Sequence, residues 1–358
     1  MIKIIVVGDW LAEIYEKALY DGFNELGYET YKFSWIQYFK YYQYPGRFKT
    51  DNNIVKSVYY RFQNKYVMGP AINKINKDLV KFCYEIKPDL VFIYKGSHIY
   101  PKTVMKLKEL GAIVFGYNND DIFSSYYPKY TWRHYINSIR HYDHIFAYRQ
   151  KNIEEYLKAG VQNTSILRSY YIKKNNFYID NLEDNKYSCD VLFIGHYEDD
   201  GRDEYIKSVI DNGIDLKLYG TGWGRSKYYS FFKERFGEIL PVYEDYNLAL
   251  NSAKIALVFL SKINNDTYTR RCFEITAAKT LMLSEYTDDL NNMFREDKEA
   301  VYFRCKEELI EKIRFYLEND IKREMIAEAG YRRLLDSKHD SVARVQEIVE
   351  VYKRLSEG

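Results

Sequence analysis

The chain has 358 residues, of which 46% are hydrophobic and 29% are charged, and its formal net charge at pH 7 is +2. This length suits two domains of roughly 150 to 200 residues each, and the composition is that of an ordinary globular protein. A nearly neutral charge argues against nucleic acid as the main partner, because proteins that bind it carry strongly basic surfaces.

The sequence lacks the features of membrane-spanning, secreted and zinc-binding proteins. No run approaches the roughly 18 consecutive apolar residues of a membrane-spanning helix. The first residues, MIKIIVVGDW, predict a short strand with no cleavage site after it, so we expect a cytoplasmic protein. The four cysteines form no CxxC pair and are expected to be small buried residues in a reducing compartment. They are Cys83, Cys189, Cys272 and Cys305.

The first half of the chain alternates strands with helices, which predicts a parallel sheet with right-handed crossovers. Gly8 ends the first strand, but GDW at 8–10 does not match the GxGxxG fingerprint of dinucleotide-binding proteins, so an NAD enzyme is not expected. The predicted strands are 2–7, 28–33, 89–94, 112–117, 142–148 and 164–167, and the predicted helices are 11–26 and 150–159.

The segment 35–81 is rich in aromatic and basic residues, including the runs YFKYYQYPGRFK and YYRFQNKY. One interpretation is an amphipathic surface that meets an anionic membrane or a polymeric acceptor. The favoured interpretation is a long helical insertion that covers the sheet, because the spacing gives no compact cationic face.

Two adjacent acids, Asp120 and Asp121, follow the strand at 112–117 and invite comparison with the metal-binding DxD motif. Two acids without a third ligand are a weak metal signal. A turn or helix-capping role is favoured, so no metal is expected.

A polar segment without periodicity, 169–188, predicts the linker between two domains. The second domain opens with a strand ending at Gly195, and the loop after it, HYEDDGR, ends at Arg202. A strand at 216–219 leads into GTGWG, which begins at Gly220. This glycine cluster is weak evidence of phosphate binding, because tight turns need the same residues.

The stretch 254–285 predicts a strand at 255–260, a polar loop, a helix at 271–278 and a second strand at 281–284. In open parallel sheets, loops at the carboxyl ends of strands are where ligands bind. A helix N-terminus beside two arginines attracts an anion, and Glu274 can accept hydrogen bonds from a sugar or a ribose. The alternative is a glutamate that offsets the helix dipole and two surface arginines. The loop carries Asn264, Asn265, Asp266, Thr269, Arg270 and Arg271.

Two runs, RRCFEITAAKTLMLSEYTDDLNNMF and REMIAEAGYRRLLDSKH, resemble the C-terminal domain of the CgeB-like glycosyltransferases. Those proteins are similar to the retaining glycosyltransferases of the GT-B fold. The resemblance implies an α/β protein with two Rossmann-like domains whose parallel sheets face a central cleft. It implies an acceptor-side domain at 1–169, a donor-binding domain at 189–338, and a C-terminal helix at 339–358 that crosses back to the first domain.

The resemblance also implies roles for individual residues. A pair of acids separated by seven positions marks the donor site of that class, and here the pair is Asp266 and Glu274. Glu274 would hold the ribose and Asp266, where the family usually has Glu, would touch the sugar. Arg202 would contact the diphosphate. The turn at Gly220 and the segment PVYEDY, which contains Tyr243, would border the base, with Gly195 and Thr269 as further donor-binding residues.

The implied reaction moves a sugar from a nucleotide sugar to a saccharide, lipid-linked or protein acceptor, with retention of configuration and without a metal. The helix terminus, Arg202, and one or both of Arg270 and Arg271 would stabilise the leaving diphosphate. No catalytic base is evident, since His98, His144 and His196 are each more typical of structural residues. A nucleotide-sugar epimerase of the same fold and a non-catalytic saccharide-binding or coat protein remain as alternatives. The sequence leaves the oligomeric state open.

Overall fold

The computed structural model describes residues 2–39 and 54–357, and the chain divides into two compact units. Unit 1 comprises Met1–Arg168 together with Ser341–Gly358, and unit 2 comprises Ser169–Asp340. Each unit has its own parallel sheet and its own hydrophobic core.

The sheet of unit 1, sheet 1, has six strands in the order β2-β1-β3-β4-β5-β6, and all of its pairings are parallel. Its strands are β1 (Lys3–Gly8), β2 (Glu29–Ser34), β3 (Leu90–Tyr94), β4 (Ile113–Asn118), β5 (His144–Ala147) and β6 (Thr164–Ile166). Its helices are α1 (Ala18–Glu25), α2 (Ile54–Tyr66), α3 (Pro70–Ile86), α4 (Pro101–Glu109), α5 (Lys129–Ser138) and α6 (Gln150–Lys158).

The sheet of unit 2, sheet 2, has five parallel strands in the order β8-β7-β9-β10-β11. Its strands are β7 (Cys189–Ile194), β8 (Leu216–Tyr219), β9 (Ala253–Val258), β10 (Leu281–Glu285) and β11 (Val301–Phe303). Its helices are α7 (Arg202–Asp211), α8 (Tyr229–Phe236), α9 (Tyr246–Asn251), α10 (Arg270–Ala277), α11 (Asp288–Met293), α12 (Lys306–Glu318) and α13 (Asp320–Asp336), and α14 (Ser341–Ser356) follows in unit 1.

Both sheets share one order of strands, in which the first strand lies between the second and the third. The direction of winding therefore reverses between β1 and β3 in sheet 1 and between β7 and β9 in sheet 2. Such a reversal, a topological switch point, opens a crevice outside the carboxyl ends of the two strands, and ligands of open α/β sheets bind there.

The predicted parallel α/β architecture is confirmed, because the central strands are apolar runs buried on both faces. In β3 every residue of LVFIY is buried, as expected for a strand covered by helices on both sides. The structure differs from the single helix predicted at 11–26, because residues Glu13–Lys17 form a π-helical turn before α1. In the segment 35–81 the described part is helical, with a 3₁₀ turn at Ile36–Phe39 followed by α2 and α3. The run GRFK and most of YFKYYQYP lie outside the described residues.

The C-terminal helix α14 belongs to unit 1, as the fold prediction requires, and packs on α1. Gly22 makes the close approach, since a Cβ atom there would lie 2.9 Å from Cγ2 of Val345. The segment 169–188 has no helix or strand, and it is hydrogen-bonded to α9 of unit 2. The N–H groups of Phe177 and Ile179 donate to Oδ1 of Asn247 and Asn251 at 3.1 and 2.8 Å.

Candidate functional site

The switch point of sheet 2 gathers most of the residues that the sequence singled out. β7 and β9 pair in parallel, with Val191 opposite Ile255, so the loops after both strands leave the same edge of the sheet. The loop after β7 runs from Gly195 to Gly201, and the loop after β9 runs to Thr269 at the start of α10. This edge is the candidate functional site.

Two predicted glycines hold the ends of β7 and β8 together. The Gly195 N–H donates to the Tyr219 carbonyl at 2.9 Å, and Nε1 of Trp223 donates to the Gly195 carbonyl at 3.0 Å. Gly220 has a φ of +146°, and a Cβ atom there would lie 1.9 Å from the Gly195 oxygen. A Cβ atom at Gly195 would lie 2.6 Å from Cζ of the buried Phe193, so both positions leave little room for a side chain. Their predicted contact with a donor stays a prediction.

Arg202, predicted to contact the diphosphate, is the first residue of α7 and only 2% exposed. Its guanidinium group donates twice to Asp200, at 2.8 and 2.6 Å, and once to the His196 carbonyl at 2.7 Å. Glu198 lies 3.6 Å from the same group. These contacts close the loop after β7 on itself, so Arg202 positions that loop. Its predicted role toward a phosphate is not tested by any of them.

The loop after β9 is fixed by two glutamates that the sequence did not single out. The Ser261 hydroxyl donates to Glu198 at 2.6 Å and so joins the loops after β7 and β9. The Leu260 N–H donates to Glu285 at 2.6 Å, and Lys262 forms a salt bridge with the same carboxylate at 3.0 Å. The carboxyl ends of β7, β9 and β10 are thereby tied together.

Thr269 caps the N-terminus of α10. Its side-chain oxygen accepts a hydrogen bond from the Arg271 N–H at 3.0 Å, and its carbonyl accepts one from the Cys272 N–H at 3.1 Å. Such a cap satisfies one of the N–H groups that a helix leaves open and orients the first turn. The positive end of the α10 dipole points toward the switch point.

Asp266 lies three residues before this cap and is partly exposed. Its N–H donates to the Ser261 carbonyl at 2.9 Å, and the residue before it, Asn265, has the left-handed φ of 50° that asparagine tolerates well. The backbone thus turns sharply at this point of the loop. The predicted contact between Asp266 and a donor sugar stays a prediction.

Glu274 is only 1% exposed and lies on the second turn of α10. One carboxylate oxygen forms a salt bridge with Nη1 of Arg270 at 2.7 Å, and the other accepts a hydrogen bond from the Tyr246 hydroxyl at 2.8 Å. Burial and the negative charge of Glu274 raise the pKa of Tyr246, which stays a neutral donor. Each carboxylate oxygen keeps a second lone pair for a further donor, and the predicted contact of Glu274 with a ribose stays a prediction.

Arg271 and Arg225 differ from the other two arginines at this edge, because neither forms a salt bridge with a described residue. Nε of Arg271 is buried without a hydrogen-bond partner within 2–39 and 54–357. Nη2 of Arg225 donates to Nε2 of His196 at 3.1 Å and to the Tyr197 carbonyl at 2.9 Å, which are neutral acceptors. Among the described residues, no carboxylate therefore lies within salt-bridge distance of these two guanidinium groups, whereas Arg202 and Arg270 each have one.

The imidazole of His196 is neutral, and the positive charges of these two arginines favour its neutral form. Burial, followed by the charge of Arg225, lowers its pKa, and Arg271 acts in the same direction. Since Nε2 accepts from Arg225, Nδ1 carries the proton and donates to the Thr221 hydroxyl at 2.7 Å. A neutral histidine adds a polar group to the edge without adding charge.

Tyr243, predicted to border the base, is 73% exposed on the segment before α9, and its carbonyl accepts from the Tyr246 N–H at 3.3 Å. Its role stays a prediction. The sequence missed Arg225, Tyr246, Glu198 and Glu285. Arg225 follows the GTGWG turn directly, and Tyr246 ends the segment PVYEDY, so signals for both were present.

Neither a metal cluster nor a membrane span is found in the part of the chain that the structure describes. No three His, Cys, Asp or Glu side chains there could together hold a metal ion. No helix within the same ranges is long and apolar enough to cross a membrane.

Comparisons with known proteins found one matching family model and a set of solved structures with a similar fold. The model of a family described as glycosyl transferase-like matches residues 202–350, which include α7, α10 and every arginine of the site. No protein among the curated ones matches the sequence. The narrower resemblance to CgeB-like proteins is not confirmed and stays a prediction.

Solved structures match the whole chain. The sucrose-phosphate synthase of Thermosynechococcus elongatus aligns with a TM-score of 0.71 and 11% identity over 100% of both chains. Anabaena HepE, in complex with UDP-glucose, aligns with a TM-score of 0.69 and 11% identity over 99% of this chain and 100% of its own. A Listeria monocytogenes protein assigned as a UDP-N-acetylglucosamine 2-epimerase aligns with a TM-score of 0.58 and 11% identity over 100% of this chain and 97% of its own. The chain therefore has the GT-B fold of two Rossmann-like domains, and its residues 202–350 match the glycosyl transferase-like family model.

Proposed function

We propose that the protein is a glycosyltransferase that moves a hexosyl group from a nucleoside diphosphate sugar to a hydroxyl group of a saccharide, lipid-linked or protein acceptor. The observation that carries this proposal is the pair of arginines, Arg225 and Arg271, at the switch point of sheet 2, neither of which forms a salt bridge with a described residue. A diphosphate would give these two guanidinium groups an anionic partner. The glycosyl transferase-like match over 202–350 supports the same reading.

The chemistry follows from where negative charge develops. As the bond between the sugar and the diphosphate breaks, charge accumulates on the phosphate oxygens, and fixed cations and helix N–H groups that face them lower the barrier. Arg271, Arg225 and the N-terminus of α10 are the groups placed for this. Arg202 and Arg270 act through other residues, the first by holding the loop after β7 and the second by orienting Glu274 toward the ribose.

Two finer features belong to the proposal as well. Transfer proceeds with retention of configuration, as in the class that the sequence resembles, and NMR of the product anomer tests this. The reaction needs no metal, because the arginines replace the divalent cation that other transferases use to balance a diphosphate. Activity is therefore expected to persist in EDTA.

Thermal unfolding with UDP, GDP, dTDP, CDP and ADP, each in EDTA, tests the proposal. A nucleotide at about one hundred times its dissociation constant stabilises the fold by about 2.7 kcal/mol. UDP is the first choice, because HepE was solved with UDP-glucose. Arg271→Met is expected to weaken binding at least tenfold. Arg235→Met, which removes an exposed charge on α8, is the matched control and is expected to leave binding unchanged.

The outcomes separate the alternatives. No stabilisation by any nucleotide contradicts the transferase and favours a non-catalytic saccharide-binding protein. Nucleotide binding with isomerisation of the nucleotide sugar in the absence of an acceptor identifies an epimerase. Nucleotide binding with transfer to an added saccharide confirms the proposal.

A further inference from the structure

Helix α2 departs from the pattern expected for a helix on the surface of a unit. Such helices turn their apolar side chains toward the core and their polar ones toward solvent. In α2 the polar side chain of Gln63 is buried, at 2% exposed. Five apolar side chains of the same helix are exposed by about half or more, and we call them the outer face of α2. They are Ile54 at 78%, Val55 at 78%, Val58 at 59%, Tyr59 at 48% and Phe62 at 52%.

The outer face of α2 is continuous rather than scattered. At about 100° per residue, its five positions span about 140° of the helix circumference. Met68, just past the C-terminal end of the helix, adds a further exposed apolar side chain at 46%. A contiguous apolar patch on a surface marks a site of interaction, whereas single exposed apolar residues need no explanation.

Polar contacts on the inner side hold α2 in this orientation. Oε1 of Gln63 accepts a hydrogen bond from the Ala71 N–H at 2.8 Å, and Oδ1 of Asn64 accepts one from Nε2 of His98 at 2.9 Å. Burial lowers the pKa of His98 to about 3, so its imidazole is a neutral donor. Turning the outer face toward the core would break both bonds and leave buried polar atoms without partners, which is costly.

The C-terminal end of α2 is fixed as well. Val67 has a left-handed φ of 49°, and its carbonyl accepts hydrogen bonds from Nη2 of Arg133 at 2.6 Å and from Nε2 of His134 at 2.8 Å. The same arginine nitrogen donates to the Tyr66 carbonyl at 2.9 Å. These contacts attach α2 to α5 and satisfy carbonyl groups that the end of a helix leaves open. The exposure of the outer face is therefore built into unit 1.

Positive charge borders the outer face of α2. At about 100° per residue, Arg61 and Lys65 lie along one margin of the face and Lys56 lies beyond the other. All three residues are exposed. Residues 52–77 contain five Lys or Arg and no Asp or Glu, although the formal charge of the whole chain is only +2. Cations are thus concentrated in α2 and the first half of α3.

An anionic membrane surface matches both features of α2. A helix with an apolar face and basic residues beside it lies in the interface of a bilayer, where its apolar face is buried between headgroups and acyl chains. Anionic headgroups attract the basic residues, whose long stems let the charges reach them. A second copy of this chain fits less well. A symmetric contact through this face would bring Lys56, Arg61 and Lys65 of one copy close to the same cations of the other.

We propose that α2 docks the protein on membranes that contain anionic lipids. The outer face of α2 enters the boundary between headgroups and acyl chains, and Lys56, Arg61 and Lys65 contact the lipid phosphate groups. One amphipathic helix with a few cations gives reversible binding, which weakens as salt screens the charges. Neither switch point takes part, so this inference stands apart from the proposed function.

Flotation of the full chain with lipid vesicles tests this surface. Vesicles of phosphatidylcholine with phosphatidylglycerol as one lipid in three are expected to bind the protein, and vesicles of phosphatidylcholine alone to bind it at least tenfold more weakly. The double variant Val58→Ser, Phe62→Ser is expected to lose at least tenfold in binding, and Lys65→Gln about fivefold. The matched controls, Leu157→Ser and Lys158→Gln, change exposed residues of α6 in the same unit and should bind as the unchanged chain does.

Three results overturn the inference: vesicles with phosphatidylglycerol do not bind the protein, both kinds of vesicle bind it equally, or the double variant binds as Leu157→Ser does. Where vesicle binding fails, sedimentation identifies the occupant instead. A dimer that Phe62→Ser abolishes assigns the face to a second copy, and a complex with polyglutamate assigns it to an acidic polypeptide.

Two further measurements separate a lost surface from a lost fold or a lost donor site. Thermal unfolding of the double variant is expected to match that of the unchanged chain, because both substituted side chains are exposed. Its stabilisation by a nucleotide is expected to persist. Nucleotide binding without vesicle binding refutes only the membrane surface, and vesicle binding without nucleotide binding refutes only the transferase.

Discussion

The two switch points share one strand order and differ in charge. At sheet 2, Arg225 and Arg271 have no carboxylate partner among the described residues, and the α10 N-terminus adds to their field. At sheet 1, the cation Lys95 forms a salt bridge with Asp120, and the buried carboxyl group of Glu16 has a pKa raised to about 7 by burial and Asp9. The comparison teaches that one strand order can carry loops of different charge, so the loops rather than the topology give each edge its chemistry.

The largest expected effect is a loss of stability in Arg202→Met, which tests whether Arg202 holds the loop after β7 or binds the diphosphate. Arg202→Met leaves Asp200 and Glu198 without their partner and is expected to destabilise the protein by about 3–5 kcal/mol in urea unfolding. The matched control is Arg304→Met, because Arg304 is 47% exposed with Glu296 and Glu308 as partners, and about 1 kcal/mol or less is expected there. A loss of nucleotide affinity without a loss of stability would instead assign Arg202 to the diphosphate, as the sequence predicts.

Gly220→Ala tests whether the carboxyl edge of sheet 2 depends on close backbone packing. The new methyl group would meet the Gly195 carbonyl at a φ that alanine avoids, so a loss of about 3 kcal/mol is expected. Gly224→Ala is the control, since nothing lies within 4 Å of its Cβ position. Equal unfolding midpoints of the two variants would contradict this account of the edge.

Glu16→Gln tests the raised pKa of Glu16 at sheet 1 through the pH dependence of the free energy of unfolding. An unfolded glutamate has a pKa of about 4.3, and the folded pKa of Glu16 is raised to about 7 by burial and Asp9. The folded state therefore holds its proton more tightly, and stability falls as pH rises from about 4.3 to about 7, then levels off. Glutamine avoids this loss. The free energy of unfolding of the variant should gain on the order of 3 kcal/mol relative to the unchanged chain across that window.

Denaturant unfolding at pH 4.5, 6 and 7.5 measures the gain, and Glu13→Gln, an exposed neighbour in the same π-helical turn, is expected to show none. A constant difference between Glu16→Gln and the unchanged chain at the three pH values would contradict the raised pKa.

The smallest effect concerns the cap of α10. Thr269→Ala removes the acceptor of the Arg271 N–H and is expected to cost about 1 kcal/mol. Thr269→Ser retains the oxygen and should restore most of that stability in thermal unfolding. If Thr269→Ser and Thr269→Ala were equally destabilised, the methyl group of Thr269 rather than its capping oxygen would account for the lost stability.

The sequence predicted the fold well because its signals are local. Apolar runs such as LVFIY mark buried strands, and the glycines and polar loops between them mark the edges where the strands end. The π-helical turn at Glu16 has no such signal, since its five residues share the periodicity of the helix after them.

The sequence predicts where the candidate site lies, but it does not predict most of the hydrogen bonds that join its residues. The sequence predicts the loop before α10 with Arg270 and Arg271 at its end and Glu274 in the helix that follows, and the salt bridge between Arg270 and Glu274 follows their spacing of four. The Tyr246 hydroxyl reaches Glu274 from 28 residues away, and Ser261 reaches Glu198 across 63. Contacts at such separations depend on the order of strands in the sheet, which periodicity does not reveal.

The most direct test of the donor site is the nucleotide affinity of two matched arginine variants. Calorimetry would measure the nucleoside diphosphate that the panel selects with the unchanged chain, Arg271→Met and Arg235→Met. Arg271→Met is predicted to lose at least tenfold in nucleotide affinity, and Arg235→Met to keep it. If Arg271→Met bound the nucleotide as tightly as Arg235→Met does, the proposed donor site at the switch point of sheet 2 would be contradicted.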